Sequence, residues 1–226
     1  MINGKKVMAI TLARGGSKGI PKKNIADIDG KPLLQYTIEE VKKSKYIDYY
    51  VVSTDDLEIE EVCRNLNTTY FQREKSHDTQ KSSEALWEVV GCHNQYEYIV
   101  EIMCTNPLKT YKDIDGVILK LDDTGADTVV SVVRIWDNHP SRVKYIENGK
   151  LIDFYPEEPG SRRQDLTPPA YVRNGSIYAM TYNQLKIKQR RLGKDTRPYI
   201  MSEKNTVNID EPIDLKLARL LLNENK

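Results

Sequence analysis

The 226-residue chain is predicted to form an α/β fold, a mostly parallel sheet with helices on both faces. Three observations predict it. Short apolar runs alternate with segments of helical periodicity as far as residue 133. Several runs are continuously apolar, as strands buried on both faces require. The first run ends in a glycine-rich loop, and such sheets bind ligands beyond the carboxyl ends of their strands.

The elements follow in order. Lys6–Leu12 is too short for a helix and reads as a buried strand. Pro32–Ser44 places Leu33, Leu34, Ile38 and Val41 at helical spacing, with proline at the start where a helix tolerates it. Asp48–Thr54 reads as a strand, Leu57–Leu66 as a helix entered through Asp55 and Asp56, and Thr69–Gln72 as a short strand. Ser82–Cys92 is predicted helical, with two serines available to cap it. Tyr98–Met103 is a strand, Tyr111–Leu121 a helix and Thr128–Val133 a strand. Residues 134–170 break the pattern with five prolines. Within them Lys144–Ile152 reads as a hairpin turning at Asn148-Gly149. Gly175–Met180 resumes as a strand and Glu211–Asn223 as the last helix. The expected organisation is a single domain, 1–226, with 134–170 as an inserted arm or lid.

Composition excludes several classes. Lysine plus arginine (34) balances aspartate plus glutamate (33), so no general nucleic-acid surface is expected. The cysteines Cys63, Cys92 and Cys104 form neither a disulfide framework nor zinc spacing, which suits a reducing cytoplasm. The apolar start is broken by Arg14, and neither a signal peptide nor a membrane span is expected. His77, His93 and His139 have no metal spacing.

Leu12–Asn24 is the richest segment. Gly15, Gly16 and Gly19 let the backbone curl, with amide groups free to point inward. Arg14, Lys18, Lys22 and Lys23 add positive charge beside them. A phosphate cluster is what such a loop stabilises. It has neither the Walker A frame nor the dinucleotide fingerprint. Asn208-Ile209-Asp210-Glu211, with Asp214 behind, suits either a Mg²⁺ site or the cap of the last helix. Arg162-Arg163-Gln164-Asp165 suits either an anion clamp or a solvated turn. Asn174-Gly175 suits either a ligand contact or a turn.

In this order the motifs resemble those of the CMP-sugar-acid synthetases, the cytidylyltransferases that activate N-acetylneuraminate, legionaminate and pseudaminate. The resemblance covers nearly the whole chain. Leu12–Asn24 is similar to the family's L/P-A-R-x-x-S-K-G-x-P-x-K-N signature, and Val51–Asp55 to its V-V-S-T-D strand end. Arg73, Asp78-Thr79 and Ser82-Ser83 resemble its arginine–D-T–S-S segment, and Thr105–Lys109 its T-S-P-L-R. Arg163-Gln164, Asn174-Gly175 with Ile177-Tyr178, and Val207–Asp214 complete the set. The resemblance implies a Rossmann-like sheet of the nucleotide-diphospho-sugar transferase type. It implies transfer of CMP from CTP to a 2-keto-3-deoxy sugar acid, with Mg²⁺ as cofactor and a homodimer joined through the 134–170 arm. By position, Arg14, Lys18 and Lys23 carry the catalytic charge. Leu12, Ala13, Arg14, Gly15, Ser17, Lys18, Asn24, Arg73 and Ser83 bind the nucleotide. Arg163, Gln164 and Asn174 face the sugar acid, and Asp210 with Asn208 holds the metal. Three positions depart from the family: Asn208 stands for its first metal aspartate, Met103 for a glutamine able to read cytosine, and Lys109 for an arginine. These departures leave room for a related nucleotidyltransferase of another sugar or base, or for a binding protein without turnover.

Overall fold

A computed structural model describes residues 1–74, 81–157, 162–188 and 190–224. Asp78, Thr79 and His77 lie outside the described residues. The strands are β1 (Val7–Ala13), β2 (Asp27–Ile28), β3 (Lys31–Pro32), β4 (Tyr49–Thr54), β5 (Tyr70–Gln72), β6 (Tyr98–Ile102), β7 (Thr128–Ile135), β8 (Lys144–Glu147), β9 (Lys150–Asp153), β10 (Ala170–Thr181) and β11 (Thr196–Ile200). The helices are α1 (Leu33–Lys43), α2 (Leu57–Asn65), α3 (Ser82–Val90), α4 (Tyr111–Thr124), α5 (Tyr182–Lys188) and α6 (Pro212–Glu224).

Seven strands form the central sheet in the order β11-β7-β10-β6-β1-β4-β5. All neighbours are parallel except β10, which runs antiparallel to both β6 and β7. The continuous apolar character of β1 is explained by its two buried faces. Val7 and Ala9 pack toward α4, whereas Met8 and Ile10 pack toward α3 and α5. Helices α1 and α2 share the α4 side through Leu34, Ile38, Ile59 and Cys63. From β1 the chain moves outward through β4 to β5, then returns to place β6 on the other side of β1. The crevice between β1 and β6 is therefore the topological switch point, where α/β sheets bind ligands.

Three sequence expectations change. The strand after the arm was expected to continue the parallel alternation, but it returns antiparallel. A parallel return needs a helical crossover, and the described residues of the arm supply none; β10 instead pairs back along β7, from Ala170 opposite Ile135. The serines of α3 do not cap it: Lys81 occupies the cap position, and the Glu84 carboxylate accepts from the Lys81 amide at 3.3 Å. Strand β11 and helix α5 were not anticipated. β11 is an edge strand carrying Pro198, which an edge tolerates, and it lacks an apolar run. The hairpin β8–β9 forms as expected, with Asn148 at φ 52° and Gly149 at φ 74°, the left-handed pair of a tight hairpin turn.

Candidate active site

At the switch point a cleft of about 540 Å³ opens. Leu12 of β1 lines it, and the loop that follows adds Arg14, Ser17, Lys18, Gly19, Lys23 and Asn24. Arg73 after β5, Ser82 and Ala85 of α3, and Met103 and Thr105 after β6 add to the wall, which Gly175, Asn208, Asp210 and Glu211 close. The loops after β1 and β6 thus share one rim, whereas no residue of the loop after β4 lines the cleft among the described residues.

The loop is held by bonds that its motif residues make. Asn24 is buried; its Nδ2 donates to the Arg14 carbonyl at 2.9 Å and its Oδ1 accepts from the Cys104 thiol at 3.1 Å. The two ends of the loop are thereby tied to each other and to β6. Gly15 donates its amide to Asp55 Oδ1 at 2.9 Å, so that one N–H serves the loop rather than a ligand. A Cβ on Gly15 would fall 2.2 Å from Asp56 Oδ2, and one on Gly19 would fall 2.5 Å from the Asp210 carbonyl. These two glycines permit close approach, the second against the far end of the chain. Ala13 is buried in the core and holds the strand rather than the cleft.

Not every basic residue serves the cleft. Lys22 turns away and pairs with Glu58 on α2. Lys23 reaches the opposite wall, donating to the Ile209 carbonyl at 2.9 Å and to Asp210 Oδ1 at 2.8 Å. Burial pushes the Arg73 guanidinium below its ordinary value, and the nearby Arg14 adds to this, while Asp55 and Glu88 oppose it. Two cations thus share one wall.

The two readings of Asn208–Asp214 separate cleanly. Asp214 Oδ2 accepts from the amides of Asp210 and Glu211 at 2.9 and 2.8 Å and caps α6. The Asp210 carboxylate is left to the cleft. Asn208 Nδ2 donates to Asp210 Oδ2 at 2.5 Å, and its Oδ1 accepts from Thr105 at 2.8 Å. For Mg²⁺, which keeps waters and phosphate oxygens and needs only one or two carboxylates, Asp210 with Glu211 is a fitting set. Asn208 orients Asp210 and directs its carbonyl toward Thr105.

A second cavity, about 390 Å³, adjoins the first and shares Gly175 and Asn208 with it. Asn174 lines it but is buried. Its Oδ1 accepts from Ser131 at 2.7 Å, and its Nδ2 points at Met201 and Thr206. Gly175, at φ 62°, forms the irregularity in β10 that opens this space. Arg163 and Gln164 line neither cavity; they sit on an exposed turn where Arg163 pairs with Asp137 at 3.2 Å. Ser82 rather than Ser83 lines the first cleft. His139 bonds Ser141 and the Pro168 carbonyl, and His93 the Val89 carbonyl; both are structural.

One positioning residue was visible in the sequence only as a departure. Lys109 is buried behind the Met103–Asn106 turn, and its ammonium donates to the carbonyls of Met103 and Asn106 and to Thr37 Oγ1, all within 2.7–2.8 Å. It fixes the turn that carries Thr105. Glu101, under the cleft floor, was not singled out; a charged residue inside the apolar run of β6 was the signal.

The cytidylyltransferase family model matches residues 8–226. The chain is 24% identical over 227 residues to post-translational flagellin modification protein B of Campylobacter coli, covering 97% of this chain and 96% of that one. It is 32% identical over 220 residues to N-acylneuraminate cytidylyltransferase A of Danio rerio, spanning 95% of itself but only 50% of the relative's length. The fold matches CMP:2-keto-3-deoxy-manno-octonic acid synthetase complexed with CTP, at a TM-score of 0.77 and 21% identity, over 98% of this chain and 100% of that one. The chain belongs to the cytidylyltransferase family, and its fold is that of the nucleotidyltransferases.

Proposed function

We propose that the protein transfers CMP from CTP to the anomeric hydroxyl of a 2-keto-3-deoxy sugar acid and releases pyrophosphate. The observation that carries this reading is the convergence of Arg14, Lys18, Lys23 and Arg73 on one cleft, faced by Asp210 and Glu211 and continuous with a second cavity. Triphosphate lies along the cations. The base lies toward Leu12, Ser82, Ala85 and Met103, and the acceptor occupies the cavity beside Asn174 and Gly175.

The acceptor oxygen attacks the α-phosphorus as the bond to the β-phosphate oxygen breaks. Charge develops on the phosphoryl oxygens and on the leaving pyrophosphate. Arg14, Lys18, Lys23 and the remaining loop amides would meet that charge. Asp210 and Glu211 would hold Mg²⁺, which neutralises phosphate charge when bound. Lys23, tied to Asp210, keeps the two walls at a set spacing. No base on this chain is assigned to the acceptor proton.

In a thermal-shift screen with Mg²⁺, CTP should raise the unfolding midpoint more than UTP, GTP or ATP; a preference for another base favours the related nucleotidyltransferase. Chelation should abolish pyrophosphate release, and added Mg²⁺ should restore it; full turnover in chelator removes the metal from the account. Gly19→Ala should cut kcat/KM for CTP by on the order of 10–100-fold, because the added Cβ pushes the loop off Asp210. Wild-type kinetics in that variant would mean the loop does not close on residue 210.

The same reading makes the protein a cytoplasmic homodimer. No described helix is long and apolar enough to cross a membrane. The arm exposes Ile146, Leu151, Phe154 and Tyr155, apolar surface that a second copy would cover. Arg163 and Gln164, which line neither cavity of this chain, would then face the neighbour's acceptor. Light scattering should give twice the chain mass, and Ile146→Lys with Leu151→Lys should give one; a wild-type monomer would exclude the arm as an interface.

A further inference from the structure

The two cavities are joined beneath by an ion pair that phosphate binding does not employ. Glu101 of β6 is fully buried under the first cleft. Its Oε2 accepts from Arg191 at 3.1 Å, while Oε1, also buried, has no hydrogen-bond partner among the described residues. Burial pushes this carboxyl upward and Arg191 pulls it back. A carboxylate so placed is costly unless its partner stays in position.

Arg191 is held from several sides. Its guanidinium stacks over Tyr178, 4.6 Å from the ring centre. Its carbonyl accepts from Thr128 Oγ1 at 3.0 Å, and Gln184 Nε2 donates to the next carbonyl, of Leu192, at 3.1 Å. Among the described residues Glu101 is the sole hydrogen-bond partner of its guanidinium. A guanidinium has five N–H groups in a fixed fork. Arg191 lines the second cavity together with Arg173, and among the described residues no acidic side chain lines it. A cation oriented on two faces and open to a cationic cavity is built to receive an oxygen ligand.

We infer that Arg191, oriented by Glu101 and Tyr178, is an acceptor-binding residue whose guanidinium takes an oxygen of the sugar acid, either its carboxylate or the carbonyl of an N-acyl substituent. This rests on the proposed transfer to a sugar acid and adds the residue that selects among such acids. The position fits, because the second cavity meets the nucleotide cleft at Gly175 and Asn208, within reach of a bound α-phosphate. Glu101, which lines the floor of the first cleft, acts here as a positioning residue that sets the direction of the fork.

Titration calorimetry tests this with a non-hydrolysable CTP analogue bound and two acceptors, N-acetylneuraminate and an eight-carbon 3-deoxy-2-keto acid without an acyl group. Arg191→Met should weaken acceptor binding roughly tenfold or more, the value of a hydrogen bond to a charged group, with analogue binding unchanged. Arg191→Lys should recover part of the loss, and Glu101→Gln should fall between. The double variant Glu101→Gln/Arg191→Met removes the buried charge and replaces the single variant if that one unfolds. Loss for both acids identifies the carboxylate as ligand; loss for the N-acylated acid alone identifies its carbonyl. Unchanged acceptor affinity in Arg191→Met overturns this inference by itself. Failure of the wild type to bind any sugar acid, with analogue binding intact, overturns it together with the proposed acceptor.

Discussion

Replacing Lys18 with alanine should lower kcat/KM roughly 10²–10³-fold, the usual cost of removing one preorganised donor from a developing oxyanion. Lys18 is exposed on the loop wall of the first cleft. Its ammonium therefore adds little to the folded state, and the unfolding free energy should move by no more than about 0.5 kcal/mol. The loss should fall mainly on kcat, since the charge that Lys18 meets grows as pyrophosphate departs. Steady-state kinetics with CTP varied, beside a melting curve, checks both halves. A near-normal rate would mean that the loop does not meet the phosphates, and a collapsed melting curve would mean that Lys18 is structural.

Lys109→Met should have the largest effect on stability, about 3–4 kcal/mol, because it strips donors from two buried carbonyls and a hydroxyl. The loss should depend on pH. Burial pushes the Lys109 ammonium down to about 7 from the ordinary 10.5, against the pull of Cys104, Glu40 and Asp113. Deprotonation preserves the contacts: a neutral amine can donate to both carbonyls and accept from Thr37. Between pH 7 and 10.5 the unfolded chain then binds more protons than the folded one, so this group's contribution to stability rises with pH. The difference between wild type and Lys109→Met, measured by urea unfolding at pH 7 and pH 9, should widen at pH 9. An unchanged difference would mean that the buried group stays charged.

Much of this was legible in the chain. The strands buried on both faces announced themselves as apolar runs, and their helices as spaced apolar residues, because period is a local property. The cleft-lining loop was legible for the same reason: glycines, cations and a strand end coincide within thirteen residues. What depended on distant partners was not legible. The direction of β10 follows from what the arm lacks. Edge strand β11 carries no apolar pattern because one of its sides has no neighbour. Local sequence offered Asp210 as a helix cap, yet Asp214 does that work through a backbone path that spacing alone does not show. The fourth loop cation, Lys22, is spent on α2. Arg191 lay in a stretch with no motif, and its meaning appears only when β6 brings Glu101 beside it.

Asn208 sharpens the view of the metal. An aspartate there would stand as a third carboxylate beside Asp210 and Glu211; here the Asn208 amide donates to Asp210 instead. The account therefore requires turnover without a second aspartate at this position.

The most direct measurement is phosphorus NMR of the purified protein with CTP, Mg²⁺ and, in turn, N-acetylneuraminate, legionaminate, pseudaminate and an eight-carbon 3-deoxy-2-keto acid. The account predicts equal amounts of pyrophosphate and a CMP phosphodiester with one of these acids, and neither product without acceptor. CTP that binds yet stays intact with every acid would contradict it.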